Sequence, residues 1–256
     1  MPKDKSFSCL GSALCVCVFA SKIAALALFL SVFVIGTPPA KAQESDTRNE
    51  FWPEIDVYIN VKAKVRIYLI GTTSKSVEDG EIRNAQGFQA QIGAHVDYIP
   101  NDHLILRMGY RYGASLGDTG DPFKEHRLLT EQTLRKLLPG DLLLSDRNRE
   151  DFRFVDGDFS FRYRNRVTIE REVHLFRGRT ITPYASAEFF YDTRSSAWNR
   201  NGFAVGFQQS LRRGPLRRMV LPARQVILDL YYIRQNDSRS EIQHVNAIGA
   251  ALVFYF

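Results

Sequence analysis

Residues 159–169 alternate with a period of two. Phe159, Phe161, Tyr163, Val167 and Ile169 share one parity, and Ser160, Arg162, Arg164, Arg166 and Thr168 share the other. A strand sends successive side chains to opposite faces, so this segment has an apolar face and a face carrying three guanidinium groups. Few architectures accept both. In a soluble sheet the apolar face turns into a core. In a barrel that crosses a membrane the same face meets lipid, and the Arg face fills the lumen. An Arg near the lipid midplane costs about 2–4 kcal/mol, so reversing this strand in a bilayer costs on the order of 6–12 kcal/mol, comparable with the whole stability of a domain.

The same period recurs along the chain. Phe88, Ala90, Ile92, Ala94, Val96 and Tyr98 oppose Gln89, Gln91, His95 and Asp97. Leu104, Leu106, Met108, Tyr110 and Tyr112 oppose Arg107, Gly109 and Arg111. Residues 142–154 place Arg147, Arg149, Asp151 and Arg153 on one face, while Asp146, Asn148 and Glu150 interrupt the other. Further strands are expected over residues 181–191, 203–211 and 225–234. Residues 124–138 read as a strand, although Leu134, Leu137 and Leu138 before Pro139-Gly140 also fit a short helix. From Ile55 to Leu69 the odd positions are apolar throughout, so this stretch is either one long strand or a hairpin with an odd-length loop. Ten strands result in the first case and eleven or twelve in the second. Single-chain bacterial barrels usually have an even number, which favours ten. Loops are expected over residues 72–83 and 114–123 on one side, and a tight turn at Pro100 on the other. Residues 44–50 read as a polar lead-in.

The last segment closes the pattern. Ile248, Ala250, Leu252, Phe254 and Phe256 form one apolar face, and Tyr255, Val253, Ala251 and Gly249 form a face with small residues in its middle. An apolar terminal strand must pair with another strand or leave an adhesive edge. Pairing it with the first strand closes a barrel. The stepped apolar pattern ending on Phe resembles the closing strand of bacterial outer-membrane barrels, and that resemblance implies recognition by the barrel-assembly machinery.

Residues 1–42 read as a secretion signal. Lys3, Lys5 and Lys22 precede an uncharged apolar run over residues 23–35, Gly36, Pro38 and Pro39 break it, and Ala40-Lys41-Ala42 has the small-x-small form of a cleavage site. That run of 13 residues is shorter than the roughly 20 a spanning helix needs. All three cysteines (Cys9, Cys15, Cys17) lie in this leader, so residues 43–256 offer no disulfide, thiol nucleophile or Cys-ligated zinc. The leader takes four of the 34 basic and one of the 28 acidic residues, leaving 30 and 27, a net charge of +3. That balance is no argument for nucleic acid.

The expected fold is all-β: a single antiparallel transmembrane β-barrel of 10 to 12 strands over residues 43–256. Its lumen is expected to hold Arg147, Arg149, Arg153, Arg162, Arg164 and Arg166, with Asp151, Glu170 and Glu188 as partners. Two readings follow for this cluster: a packed ionic network, or an anion-attracting path. A soluble periplasmic barrel or sandwich with its apolar face inward also fits alternation alone. Against it stand the terminal Phe, the strand lengths and the aromatic residues near strand ends.

Phe51-Trp52-Pro53-Glu54, Glu125-His126-Arg127, Arg147-x-Arg149, Arg162-Tyr163-Arg164, and Tyr184 through Glu188 before an aromatic pair form a loose pattern of Arg, Glu and aromatics. In these residues the chain resembles an uncharacterised family of Gram-negative outer-membrane proteins catalogued as a domain of unknown function. The resemblance implies a barrel in the outer membrane and brings no activity, cofactor or catalytic residue. A lipid-acting hydrolase is the alternative function, needing an oriented Ser–His pair. The five His (His95, His103, His126, His174, His244) show no telling spacing to a Ser, and the chain has no Gly-x-Ser-x-Gly elbow, HExxH motif, P-loop or dinucleotide fingerprint. No enzyme activity, cofactor or metal site is therefore expected.

Overall fold

Alternation over 12 to 16 residues produces long strands, and a computed structural model of the chain shows eleven of them. It describes residues 47–78, 81–82, 89–115, 124–175, 180–211, 223–238 and 243–256. The expected signal segment with Ala40 and Ala42 lies outside the described residues, as do positions 79–80, 83 and 116–123 of the two expected loops and Phe88 of the strand expected after the first.

The strands are β1 (Thr47–Lys62), β2 (Val65–Glu78), the two-residue β3 (Glu81–Ile82), β4 (Gln89–Asn101), β5 (Leu104–Ser115), β6 (Lys124–Leu138), β7 (Leu142–Val155), β8 (Asp158–Arg171), the two-residue β9 (Val173–His174), β10 (Thr180–Asp192), β11 (Ala197–Ser210), β12 (Gln225–Asp237) and β13 (His244–Tyr255). Each long strand pairs antiparallel with the next, and β13 returns to β1. In an up-and-down meander every strand reverses the last, so with eleven strands the first and last run the same way. The closing ladder is accordingly parallel, from Thr47↔His244 to Tyr58↔Tyr255.

The odd count corrects the preference for ten strands. Residues 55–69 are not one strand. They form the β1–β2 hairpin, which turns at Ala63-Lys64. A two-residue turn should reverse parity, yet Glu54↔Thr72 and Asn60↔Arg66 keep it, because the register shifts by one between Asn60 and Lys62. A β-bulge at Val61 absorbs the extra residue. Two smaller corrections follow: residues 47–50 already belong to β1, and residues 72–78 extend β2 rather than beginning a loop. The 124–138 segment is a strand.

Parallel pairing is slightly weaker per residue than antiparallel pairing. The seam is reinforced by rings and by the last residue. Tyr58 stacks between Tyr68 (4.6 Å) and Tyr255 (4.9 Å), and Tyr68 stacks on His95 (5.0 Å), so four rings line the wall from β13 to β4. The Phe256 amide donates to the Tyr58 carbonyl at 2.8 Å, and the Phe256 carbonyl accepts from Asn60 Nδ2 at 3.1 Å.

The two faces of the sheet are inverted relative to a soluble protein. Ile92, Met108 and Ile248 are each more than 60% exposed on the outer face. Asp97, Glu131, Arg149, Asp151 and Glu188 are buried inside. This polarity removes the soluble barrel or sandwich, whose apolar face would point inward. Ile248, Ala250, Leu252 and Phe254 face outward on β13, while Ala247, Ala251 and Val253 are buried within. Gly249 shares the inward parity, and the Tyr231 ring requires glycine there, since a Cβ would lie 2.0 Å from Tyr231 Cζ.

Candidate functional site

The interior is the candidate site. Arg147, Arg149, Asp151 and Arg153 come from β7, Arg162, Arg164 and Arg166 from β8, and Glu188 from β10. All share the inward parity, and cross-strand register brings them together: Arg149 opposite Arg164, Asp151 opposite Arg162, and Glu188 opposite Arg166. Arg149 and Arg164, and likewise Arg147 and Arg166, face each other as like charges, so acids from other positions must separate them.

Glu188 separates the first group. It accepts from Arg147 Nη2 at 2.9 Å, Arg164 Nε at 3.0 Å and Arg166 Nη2 at 2.7 Å. Glu131 on β6 takes Arg149 Nη2 at 2.5 Å, and lies 3.6 Å from Arg107 and 3.9 Å from Arg147. Asp97 on β4 takes Arg107 Nε at 2.6 Å and Arg66 Nη2 at 2.7 Å. The result is one continuous chain of ion pairs, Arg66–Asp97–Arg107–Glu131–Arg147–Glu188, that steps from β2 to β10. Arg149, Arg164 and Arg166 attach to it.

A second chain lies beside it. Glu125 takes Arg127 at 2.8 Å and Arg153 at 2.5 Å, and Asp192 takes Arg153 at 3.3 Å and Arg162 at 2.7 Å. Asp151 lies between the two chains, 3.9 Å from both Arg127 and Arg164, with neither carboxylate oxygen in a hydrogen bond. It is held by charge alone. A buried charge without partners costs several kcal/mol, so interlocking of this kind is what lets so many guanidinium groups occupy a barrel wall.

The opposite wall, on β1 and β10 to β13, differs. Tyr68 donates to Asp56 at 2.8 Å, Tyr184 and Gln208 donate to Asp229 at 3.0 Å each, and Arg200 pairs with Asp237 at 2.6 Å. Arg66 and Arg107 lie over the rings of Tyr58 and Tyr68 at 4.3 and 4.1 Å. Between the walls is a cavity of about 880 Å³, with Arg147, Arg164 and Arg166 lining one side and Glu54, Asp56 and Asp229 the other.

Glu170 is the exception among the expected partners: it shares the inward parity but joins no ion pair among the described residues. The hubs Glu131, Glu125, Asp97 and Asp192 are not among the partners expected from sequence, although Asp97 is on the polar face of its strand and Glu125 belongs to the Glu125-His126-Arg127 pattern. Glu125, Arg127 and Glu131 share one parity of 124–138, a usable signal hidden by the helix-or-strand ambiguity there. Among the His, His95 accepts from Arg111 Nε at 3.2 Å inside the barrel, and His126 pairs with Tyr110 at 2.6 Å on the outer face. No His hydrogen-bonds a Ser among the described residues.

The outer face departs from its apolar character in the middle of β7, apart from a polar group toward the strand ends formed by Asn201, Arg234, Asn236 and Asn246. Asp146, Asn148 and Glu150 project outward from the middle of β7. Asn165 Nδ2 donates to Asp146 at 2.7 Å and to Asn148 at 3.0 Å. The Tyr163 hydroxyl donates to Asn148, and that of Thr130 to Glu150.

An apolar exterior around an ion-paired interior defines a β-barrel of the outer-membrane type. The family described as "Protein of unknown function (DUF2490)" matches residues 49–246, and the chain belongs to it. Among solved structures, the chain is similar to the β domain of the Bordetella autotransporter BrkA, with 16% identity and a TM-score of 0.51 over 78% of this chain and 87% of that one. At that identity the likeness concerns the fold. No relative is found among curated proteins.

Proposed function

We propose that this protein resides in the bacterial outer membrane as a non-enzymatic barrel, and that its lumen is a narrow, charge-lined path for small solutes rather than an open diffusion pore. The observation that carries this reading is the ion-pair chain from Arg66 to Glu188, which occupies one wall and leaves a cavity of about 880 Å³ beside it. Barrels near eight strands are filled by side chains, and open channels arise at 16 to 18 strands, so eleven lie nearer the filled end. Arg166 is the natural contact for an anion. It lines the cavity, and its side chain is 33% exposed. The signal peptide delivers the chain to the periplasm, outer-membrane lipid covers the apolar face, and β13 is the strand read by the barrel-assembly machinery.

The test is conductance of the purified protein in planar bilayers. The expected result is a small conductance that prefers anions and loses that preference in Arg166→Gln. A large, unselective conductance would overturn the filled-lumen reading. A small conductance whose selectivity ignores Arg166 would overturn the anion path.

A further inference from the structure

The outer-face polar cluster needs an account that a lipid contact does not supply. Its residues form a grid across three strands, with Thr130, Glu150 and Tyr163 in one row and Gln132, Asn148 and Asn165 in the next. Asp146 extends it on β7. Apolar residues border most of the grid, with Lys136 at one corner beyond Asp146. Leu128, Phe152 and Phe161 form the row beyond it at one end, and Leu144 and Ile169 lie beyond Asp146 at the other. Met108 and Leu106 flank it on β5, and Tyr191 and Phe189 on β10. Elsewhere the middle of each strand's outward face is apolar: Ile55 and Val57 on β1, Ala94 and Val96 on β4, Val205 on β11, Ala250 and Leu252 on β13.

The internal hydrogen bonds of the grid leave a balanced remainder. Asp146 and Glu150 each keep an oxygen that no bond uses. Gln132 is exposed and makes no hydrogen bond among the described residues, and the Asn148 amide nitrogen donates to nothing. The surface therefore offers unused donors and unused acceptors side by side. Hydrocarbon can satisfy neither.

We propose that this grid is the interface through which two copies of the chain associate in the membrane. The inference rests on the outer-membrane reading above. Two copies that are inserted with the same orientation and form a closed pair are related by a two-fold axis along the membrane normal, and such an axis keeps every residue at its depth. A polar patch at mid-depth must then meet polar surface at mid-depth. Among the described outward faces, the patch that supplies it is the grid itself, on a second copy. A two-fold contact is isologous, so each patch must complement itself. The Gln132 and Asn148 amides of one copy facing the Asp146 and Glu150 carboxylates of the other meet that requirement, and the flat apolar border supplies packing around them.

Residues 43–256 contain no Cys, so single cysteines report contacts directly. Met108→Cys, two strands and so about 10 Å from an axis through β7, and Ile248→Cys, on the far side of the barrel, are treated in native membranes with a bis-maleimide that spans roughly 20 Å. The expected result is a covalent dimer with Met108→Cys and none with Ile248→Cys. Adding Gln132→Leu and Asn148→Leu to Met108→Cys should cut dimer yield at least tenfold while the heat-modifiable folded band stays in the membrane fraction. Monomer alone with folded Met108→Cys in the membrane overturns the proposal, as does equal dimer from both cysteines or a ladder beyond dimer. If the double Leu variant fails to fold, the comparison of the two single cysteines still decides. Absence of the wild-type band from membranes is a different failure, that of the outer-membrane reading.

Discussion

Replacing Glu188 by Gln removes the charge that three guanidinium groups share. The Glu188 side chain is 2% exposed, and its oxygens accept from Arg147, Arg164 and Arg166 at 2.7–3.0 Å. Hydrogen bonds to charged groups contribute about 1.5–3 kcal/mol each, and removing one partner of a buried pair costs about 3–5 kcal/mol. The three Arg are not equally stranded. Arg147 keeps Glu131 at 3.9 Å and Arg164 keeps Asp151 at 3.9 Å, while Arg166 keeps no acid but is the most solvated. Water and the remaining acids offset part of the loss, which points to the lower end of the range, about 3 kcal/mol. The assay is urea unfolding of protein refolded into lipid vesicles, followed by fluorescence of Trp52 and Trp198. Glu188→Gln should unfold at clearly lower urea. Adding Arg166→Gln, which removes the most dependent charge, should recover about 1 kcal/mol of the loss. Phe161→Leu, on the outer face, should stay within about 0.5 kcal/mol of wild type. A Glu188→Gln protein as stable as wild type would refute the claim that the ion-pair chain holds the barrel together.

Other sites give sharper yes-or-no outcomes. Gly249→Ala places a methyl on the Tyr231 ring and should lower folded yield, at an overpacking cost of about 1–3 kcal/mol, and Tyr231→Ala in the same chain should restore it. Deleting Phe256 removes its bonds to Tyr58 and Asn60 across the parallel seam, so membrane yield should fall far more than on deleting one residue among positions 72–78. Removing the second wall's anchor by Asp229→Asn should leave unfolding nearly unchanged, because the amide oxygen still accepts from Gln208 and the amide nitrogen can donate to the Tyr184 hydroxyl. A drop as large as that of Glu188→Gln would show that the two walls are not distinct.

Most of the barrel was legible because a strand's period is short and local. Parity alone sorted Arg162, Arg164 and Arg166 from Phe159 and Phe161, and lipid cost decided which side was in. Strand number was hidden for a specific reason: the bulge at Val61 cancels the parity change that would betray the Ala63-Lys64 turn. The choice of acid partners was hidden because it depends on register between strands far apart in sequence. Glu170 and Glu188 carry the same local signal, yet only Glu188 lies opposite Arg166. Asp146, Asn148 and Glu150 read as flaws in an apolar face. Only the register of β6 and β8 shows that they belong to a cluster with Thr130, Tyr163 and Asn165.

The central claim is the inverted polarity of the wall, and thiol accessibility tests it most directly. Residues 43–256 contain no Cys, so Ser186→Cys, lining the cavity, and Ile248→Cys, on the outer face, can each be read alone. In membranes, Ser186→Cys should react with a small water-soluble thiol reagent and not with a lipid-confined one, and Ile248→Cys should show the reverse. Labelling of Ile248→Cys by the water-soluble reagent, with Ser186→Cys modified only from the lipid, would contradict the account.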